Sequence, residues 1–303
     1  MRREGARTLT SLVVLLLLAH PAASAALEAV DDSGHTVTLS TPAQRIVSIA
    51  PHATELLYAA GAGERIVGAV AYSDFPPPAR ELPRVGDAHA LDVEAILALE
   101  PDLVVGWISG NPEAQLAQLR RLGANLYLTE PRRLDDVARH LEQLGRLAGT
   151  GTQGAAQAEA FRRRMDVLQQ RYADAAPLTV FYQLWDRPLM TVGGTHLIST
   201  VIRLCGGVNV FSELDALAPQ VETEAVLQRD PRVIVMGVEA ETAQGWRARW
   251  LRWPRLAAVR DGRLHALPPD ELHRLGPRIL DGAERLCEVL QEVRESTSIL
   301  SSE

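Results

Sequence analysis

The chain of 303 residues predicts an α/β fold: two similar lobes with central, largely parallel sheets, joined by a long connecting helix, with a ligand cleft between the lobes. Three observations carry this. First, VEAILALEPDLVV (Val93 to Val105) returns as TEAVLQRDPRVIV (Thr223 to Val235), an offset of 130 residues (223 − 93). Glu94, Ala95, Leu97, Pro101 and Val105 recur as Glu224, Ala225, Leu227, Pro231 and Val235. Second, strand patterns alternate with helix patterns on both sides of the chain's middle, the signature of a parallel sheet with helical crossovers. Third, Gln153 to Ala173 is one helical pattern without strand signal. A solenoid would repeat every ~20–50 residues. A single repeat at this distance instead marks two lobes of like design, and ligands favour the interface between such lobes.

The elements follow in order. Glu28 to Leu39 reads as a hairpin around Asp32-Ser33-Gly34, and Arg45 to Ala50 as a buried strand ended by Pro51. Ala53 to Ala60 is a short helix stopped at Gly61, and Ile66 to Val70 the next strand. The first repeat copy gives a helix with Asp92 as N-cap, a proline turn and a strand ending near Trp107. A helix from Pro112 to Leu122, a strand from Asn125 to Leu128 and a helix from Leu134 to Leu147 complete the first lobe. The second lobe opens with a strand at Leu178 to Gln183 and a loop from Trp185 to Gly194. A helix from His196 to Cys205 follows, closed by Gly206-Gly207, and then the second repeat copy. Asp261-Gly262 signals a tight turn between Ala257 to Val259 and Leu264 to Leu267, and Pro277 to Val293 forms a closing amphipathic helix. The expected organisation is thus a signal peptide at 1–25, a first lobe at 26–149, a connecting helix at 150–176, a second lobe at 177–295 and a flexible tail at 296–303.

The signal peptide rests on Arg2, Arg3 and Arg7, the apolar run Leu12 to Ala19, and Ala23-Ser24-Ala25 as a small-residue cleavage site. It predicts a protein exported to a periplasm. A net charge of −7 argues against a nucleic-acid partner, which would favour a basic face. Cys205 and Cys287 form an even pair, which in an oxidising compartment reads as one disulfide, against the alternative of two buried thiols. Such a bridge is worth roughly 2–4 kcal/mol.

No nucleophile elbow, phosphate loop, CxxC or HExxH motif is present, so no enzyme, resident cofactor or metal site is expected. Polar and aromatic residues gather instead after the strands: His52, then Tyr72-Ser73-Asp74, then Trp107 to Asn111, then Gln183 to Met190. In α/β lobes ligands sit outside the carboxyl ends of strands. His52, Tyr72, Trp107 and Trp185 could present rings to a large, partly flat ligand, whereas each ring taken alone reads as core packing. Glu94 and Glu224 stand at the same place in the two repeats. Their plain reading is a carboxylate near the positive end of a helix dipole; the alternative is one acidic knob per lobe for a partner with two basic sites.

These segments, RIVSIAPHATELLYAAG (Arg45 to Gly61), AYSDFPP (Ala71 to Pro77), LDVEAILALEPDLVVGWISGN (Leu91 to Asn111), CGGVNVF (Cys205 to Phe211), APQV (Ala218 to Val221) and GPRIL (Gly276 to Leu280), resemble the periplasmic cobalamin-binding proteins of ABC importers. The wider group includes haem- and siderophore-binding proteins. The resemblance implies cobalamin, or a related corrinoid, held between two lobes with limited closure and delivered by a monomer to an inner-membrane permease with ATPase subunits. It implies that Glu94 and Glu224 dock to permease arginines and that Cys205 and Cys287 pair. It places Tyr72 as a cleft tyrosine and matches Trp107 and Asn111; with the residues after the strands, the candidate ligand-binding set is His52, Tyr72, Ser73, Asp74, Trp107, Asn111, Trp185, Gln220 and Arg274. The chain departs from the family pattern at Ala218 and at Glu271 or Leu272, where relatives carry tryptophan; a family tryptophan before Leu91 is also absent, and Trp185 could supply replacement ring surface. A haem reading would use His52 or Tyr72 as axial ligand. A periplasmic enzyme using the cleft is the alternative from another class.

Overall fold

The computed structural model describes residues 26–300, with side chains as far as residue 297. The expected signal peptide lies outside the described residues. The chain opens with an antiparallel hairpin, β1 (Leu27–Val30) and β2 (Thr36–Leu39), turning at Gly34 as expected. The first lobe then runs β3 (Ile46–Ser48), α1 (Pro51–Ala59), β4 (Ile66–Ala69), α2 (Val93–Ala98), β5 (Leu103–Trp107), α3 (Glu113–Arg121), β6 (Leu126–Thr129) and α4 (Leu134–Leu147). Helix α5 (Gly151–Tyr172) connects. The second lobe runs β7 (Leu178–Gln183), α6 (Leu197–Leu204), β8 (Gly207–Asn209), α7 (Thr223–Arg229), β9 (Val233–Gly237), α8 (Ala240–Trp250), α9 (Ala257–Arg260), β10 (Leu264–Leu267), α10 (Pro269–His273) and α11 (Ile279–Leu300).

Each lobe holds a four-stranded sheet, all parallel: β4-β3-β5-β6 in the first and β8-β7-β9-β10 in the second. The two orders superimpose strand for strand. The repeated segment is therefore the readable part of a whole repeated βα unit, with β5 and β9 as inner strands of equivalent position. The likeness reaches the backbone: Glu100 and Asp230, the equivalent residues before each proline, both take left-handed φ of 46° and 40°. Few non-glycine residues do so. Strands β5 and β9 are buried along nearly their whole length, the pattern of a parallel sheet covered by helices on both faces.

Helix α5 ties both lobes. Its buried residues Gly154, Ala158, Phe161, Leu168 and Tyr172 recur at helical spacing. Arg162 reaches α4 through Asp135 at 2.6 Å and Glu142 at 2.5 Å, while Arg164 reaches α11 through Asp281 at 2.6 Å and Glu284 at 2.7 Å. Gly154 lets α5 cross α4 closely: a Cβ there would lie 2.5 Å from the Leu141 carbonyl oxygen. The disulfide Cys205–Cys287 is formed and joins the end of α6 to α11, inside the second lobe.

Three local expectations need correction. Pro51 does not merely end a strand but is the first residue of α1, where a missing N–H costs nothing. The Gly206-Gly207 stop overlaps an edge strand, β8, too short to show an alternating pattern. Ala257 to Val259 is helical, so the turn at Asp261-Gly262 leads from α9 into a strand parallel to β9 and makes no hairpin. Helix α11 runs on through residues 296–300, and Ser296 Oγ donates to the Val293 carbonyl at 2.9 Å.

Candidate functional site

All the candidate strand-end residues lie at the carboxyl edges of the two sheets, where crossover topology leaves room for a ligand. The structure sorts them into exposed and supporting groups. Tyr72, just after β4, is 76 % exposed and held in left-handed backbone with φ 63°. Trp107, the last residue of β5, is half-buried. Trp185, just after β7, is 58 % exposed, and its indole N–H donates to the Arg187 carbonyl at 3.2 Å. Gln220 is exposed, and Met190 bridges through its backbone to Trp185 on one side and to Gln220 on the other.

His52, Ser73 and Asn111, from the same candidate set, are buried with polar atoms engaged by the protein. His52 is 3 % exposed; its Nε2 lies 2.8 Å from Thr129 Oγ1, and its ring meets Trp107 edge-on at 5.3 Å. Burial, helped by the nearby His140, depresses its pKa to about 3, so the ring is neutral at any ordinary pH. Ser73 accepts from Thr54 Oγ1 at 3.0 Å, in a chain that continues to Ser48. Asn111 accepts from the Trp107 backbone N–H at 2.8 Å and donates to the carbonyls of Ile49 at 2.8 Å and Ala88 at 3.1 Å. The W-x-x-G-N segment is thus a socket that fixes Trp107. Gly110 completes it, since a Cβ there would fall 1.7 Å from Trp107 Cε3.

Asp74 and Arg274 belong to a charge cluster between the lobes. Arg274 of the second lobe donates to Asp74 of the first at 2.5 Å, lies 3.4 Å from Glu55, and reaches Asp270 of its own lobe at 3.0 Å. Arg278 donates to both oxygens of Glu55, at 2.6 and 3.0 Å, and stacks over Phe75 at 4.1 Å. The Arg274 hydrogen bond holds the Asp74 carboxyl below the usual carboxylate range, overcoming its partial burial. Neither Glu55 nor Arg278 stood out among the candidate residues. The available signal was Glu55 itself, a carboxylate amid the apolar PHATELL segment of α1.

Glu94 and Glu224 are both exposed and both stand in the first turn of their helices. In α2 the N-cap is Asp92, whose Oδ1 accepts from Ala95 N–H at 2.9 Å, as expected. Capping there is done by another residue, which leaves the Glu94 side chain at the surface.

The family model described as "Periplasmic binding protein" matches residues 46–271. The chain belongs to the periplasmic binding protein family. The chain is similar to a vitamin B12-binding protein of Vibrio cholerae, 42 % identical over 252 residues, covering 82 % of this chain and 90 % of the relative. One of Yersinia pestis is 38 % identical over 258 residues, covering 84 % and 90 %. Among solved structures, the periplasmic vitamin B12-binding protein of Vibrio cholerae matches with TM-score 0.79 and 40 % identity, covering 84 % of this chain and 98 % of that one. A periplasmic haem-binding protein of Roseiflexus sp. RS-1 matches with TM-score 0.73 and 25 % identity, covering 82 % and 98 %. The two-lobed architecture is shared across these periplasmic binding proteins.

Proposed function

We propose that this chain captures cobalamin in the cleft between its lobes and delivers it to an inner-membrane ABC permease with its ATPase subunits. The observation that carries this reading is 42 % identity, over 90 % of its length, to a vitamin B12-binding protein. The site's chemistry agrees with it. Tyr72, Trp107 and Trp185 offer ring surface to a large macrocycle, and Gln220, Asp74 and Arg274 offer polar groups to its amide periphery. His52, Ser73 and Asn111 support this surface from beneath. Capture is reversible and leaves the ligand unchanged. Residues 1–25 act as the export signal, the lobes comprise 26–149 and 177–295 with 150–176 between them, and the mature chain works in the periplasm as a monomer.

Docking uses one carboxylate per lobe, Glu94 and Glu224, supported by their equivalent, exposed positions in the repeat. The test is cobalamin uptake in cells lacking the gene. The wild-type chain restores uptake. The Glu94→Arg/Glu224→Arg double variant does not, although the purified protein keeps its cobalamin affinity. Full uptake with the double variant would refute the docking assignment.

A further inference from the structure

The two lobes repeat one another strand for strand, but their third crossovers differ. Eighteen residues, 108–125, lead from β5 to β6, whereas twenty-six, 238–263, lead from β9 to β10. The longer crossover contains Leu251 to Arg255 (LRWPR), five consecutive exposed residues between α8 and α9. Trp253 is 39 % exposed and Leu251 56 %. Leu251 and Trp253 thus stand among the exposed large hydrophobic residues, two positions apart on one loop.

The segment lies against α7, the helix that carries Glu224. Trp253 forms a wall shared by two depressions. One, of about 120 Å³, also borders Thr223, the neighbour of Glu224. The other, of about 430 Å³, borders Leu227 and Asp230 of the same helix and its cap. On either side of Trp253 stand Arg252 and Arg255, both exposed. Among the described residues neither makes an ion pair; Arg252 donates only to the Arg249 carbonyl, at 3.3 Å. Two unneutralised arginines around an exposed indole, on a chain of net charge −7, call for an acidic partner with an apolar anchor point.

We infer that Leu251 to Arg255 extends the docking surface of the second lobe, with Trp253 seated in an apolar recess of the permease and Arg252 and Arg255 facing its acidic groups. This rests on the docking reading given to Glu224. It makes the second lobe's contact mixed in charge.

The test compares uptake of radiolabelled cobalamin by cells carrying Arg252→Glu/Arg255→Glu, Trp253→Ala, or Arg252→Lys/Arg255→Lys, beside Glu94→Arg/Glu224→Arg. Each protein is also purified for cobalamin affinity, melting temperature and sedimentation. The expected result is an uptake loss of about tenfold or more for charge reversal and for Trp253→Ala. The lysine variant should retain uptake, and all should show wild-type affinity and melting. Normal uptake with charge reversal, while Glu94→Arg/Glu224→Arg abolishes it, overturns this inference alone. Normal uptake with both sets overturns the docking reading and this inference together. A drop in cobalamin affinity on Trp253→Ala would assign the segment to the ligand cleft, and a wild-type dimer broken by charge reversal would assign it to self-association. Either result overturns the inference.

Discussion

Glu55 of the first lobe, 3 % exposed, receives two hydrogen bonds from Arg278 of the second, at 2.6 and 3.0 Å. This bidentate pair, with Arg274 at 3.4 Å, is a fixed point between the lobes. Removing one member strands the other. Breaking a buried pair in this way typically costs about 3–5 kcal/mol. Glu55→Ala should therefore lower the unfolding free energy by about that amount, read from the urea midpoint. A loss near the 0–1 kcal/mol of an exposed pair would show that the cluster is solvated.

At the crossing of α4 and α5, Gly154→Ala sets two effects against each other. Alanine gains about 1 kcal/mol of helix propensity. Its Cβ would meet the Leu141 carbonyl oxygen at 2.5 Å, which forces the helices apart at a cost of about 1–3 kcal/mol or more. Backbone cannot rotate out of the way, so net destabilisation is expected in thermal melts. A raised melting temperature would contradict the tight crossing.

The Cys205–Cys287 bridge closes a sequence separation of 82 residues within one lobe. Cys205→Ser/Cys287→Ser should lose about 2–4 kcal/mol of stability. Cobalamin affinity should stay close to wild type, because the bridge touches none of the exposed ring residues. An affinity loss in protein that is still folded would mean the bridge positions the site.

Acid should weaken the fold through its buried histidines. Burial depresses the pKa of His52 to about 3, and of His196 and His273 to about 4. His196 must also stay unprotonated at Nδ1, which accepts from Ile198 N–H at 3.1 Å. These folded-state values lie below the unfolded value, about 6.5. The unfolded chain therefore binds protons that the folded chain refuses, and their stabilising effect, full above pH 6.5, declines as pH falls toward 4 and on toward 3. Each histidine adds a slope of about 1.4 kcal/mol per pH unit within that window. Urea midpoints measured from pH 7.5 to 4.5 should fall steadily, and His52→Gln should flatten the slope. A flat profile would show that these rings are protonated in the fold. Asp32 acts lower: burial raises its pKa, but the His140 hydrogen bond and charge, with Arg139, outweigh this and hold it down. Its contribution is present above about pH 4 and lost only below that.

The fold was legible because its evidence is periodic. Strands such as Leu178 to Gln183 and the repeated helix–proline–strand unit show themselves in local pattern. What escaped was non-local. Edge strand β8 has three residues and owes its existence to pairing with β7. The partition of the site was equally hidden: Tyr72 and Ser73 are adjacent, yet one is 76 % and the other 1 % exposed. The left-handed turn at Tyr72 decides which side chain points outward, and no composition rule announces it. The pairing of Glu55 with Arg278 spans 223 positions, beyond any window of sequence pattern.

The most direct measurement is calorimetric titration of the mature protein with cyanocobalamin, haemin and a ferric siderophore in parallel. Saturable one-to-one heat is expected with cyanocobalamin, reduced by Trp185→Ala and Tyr72→Ala, and none with the other two. Saturable binding of haemin with no heat from the corrinoid would contradict it.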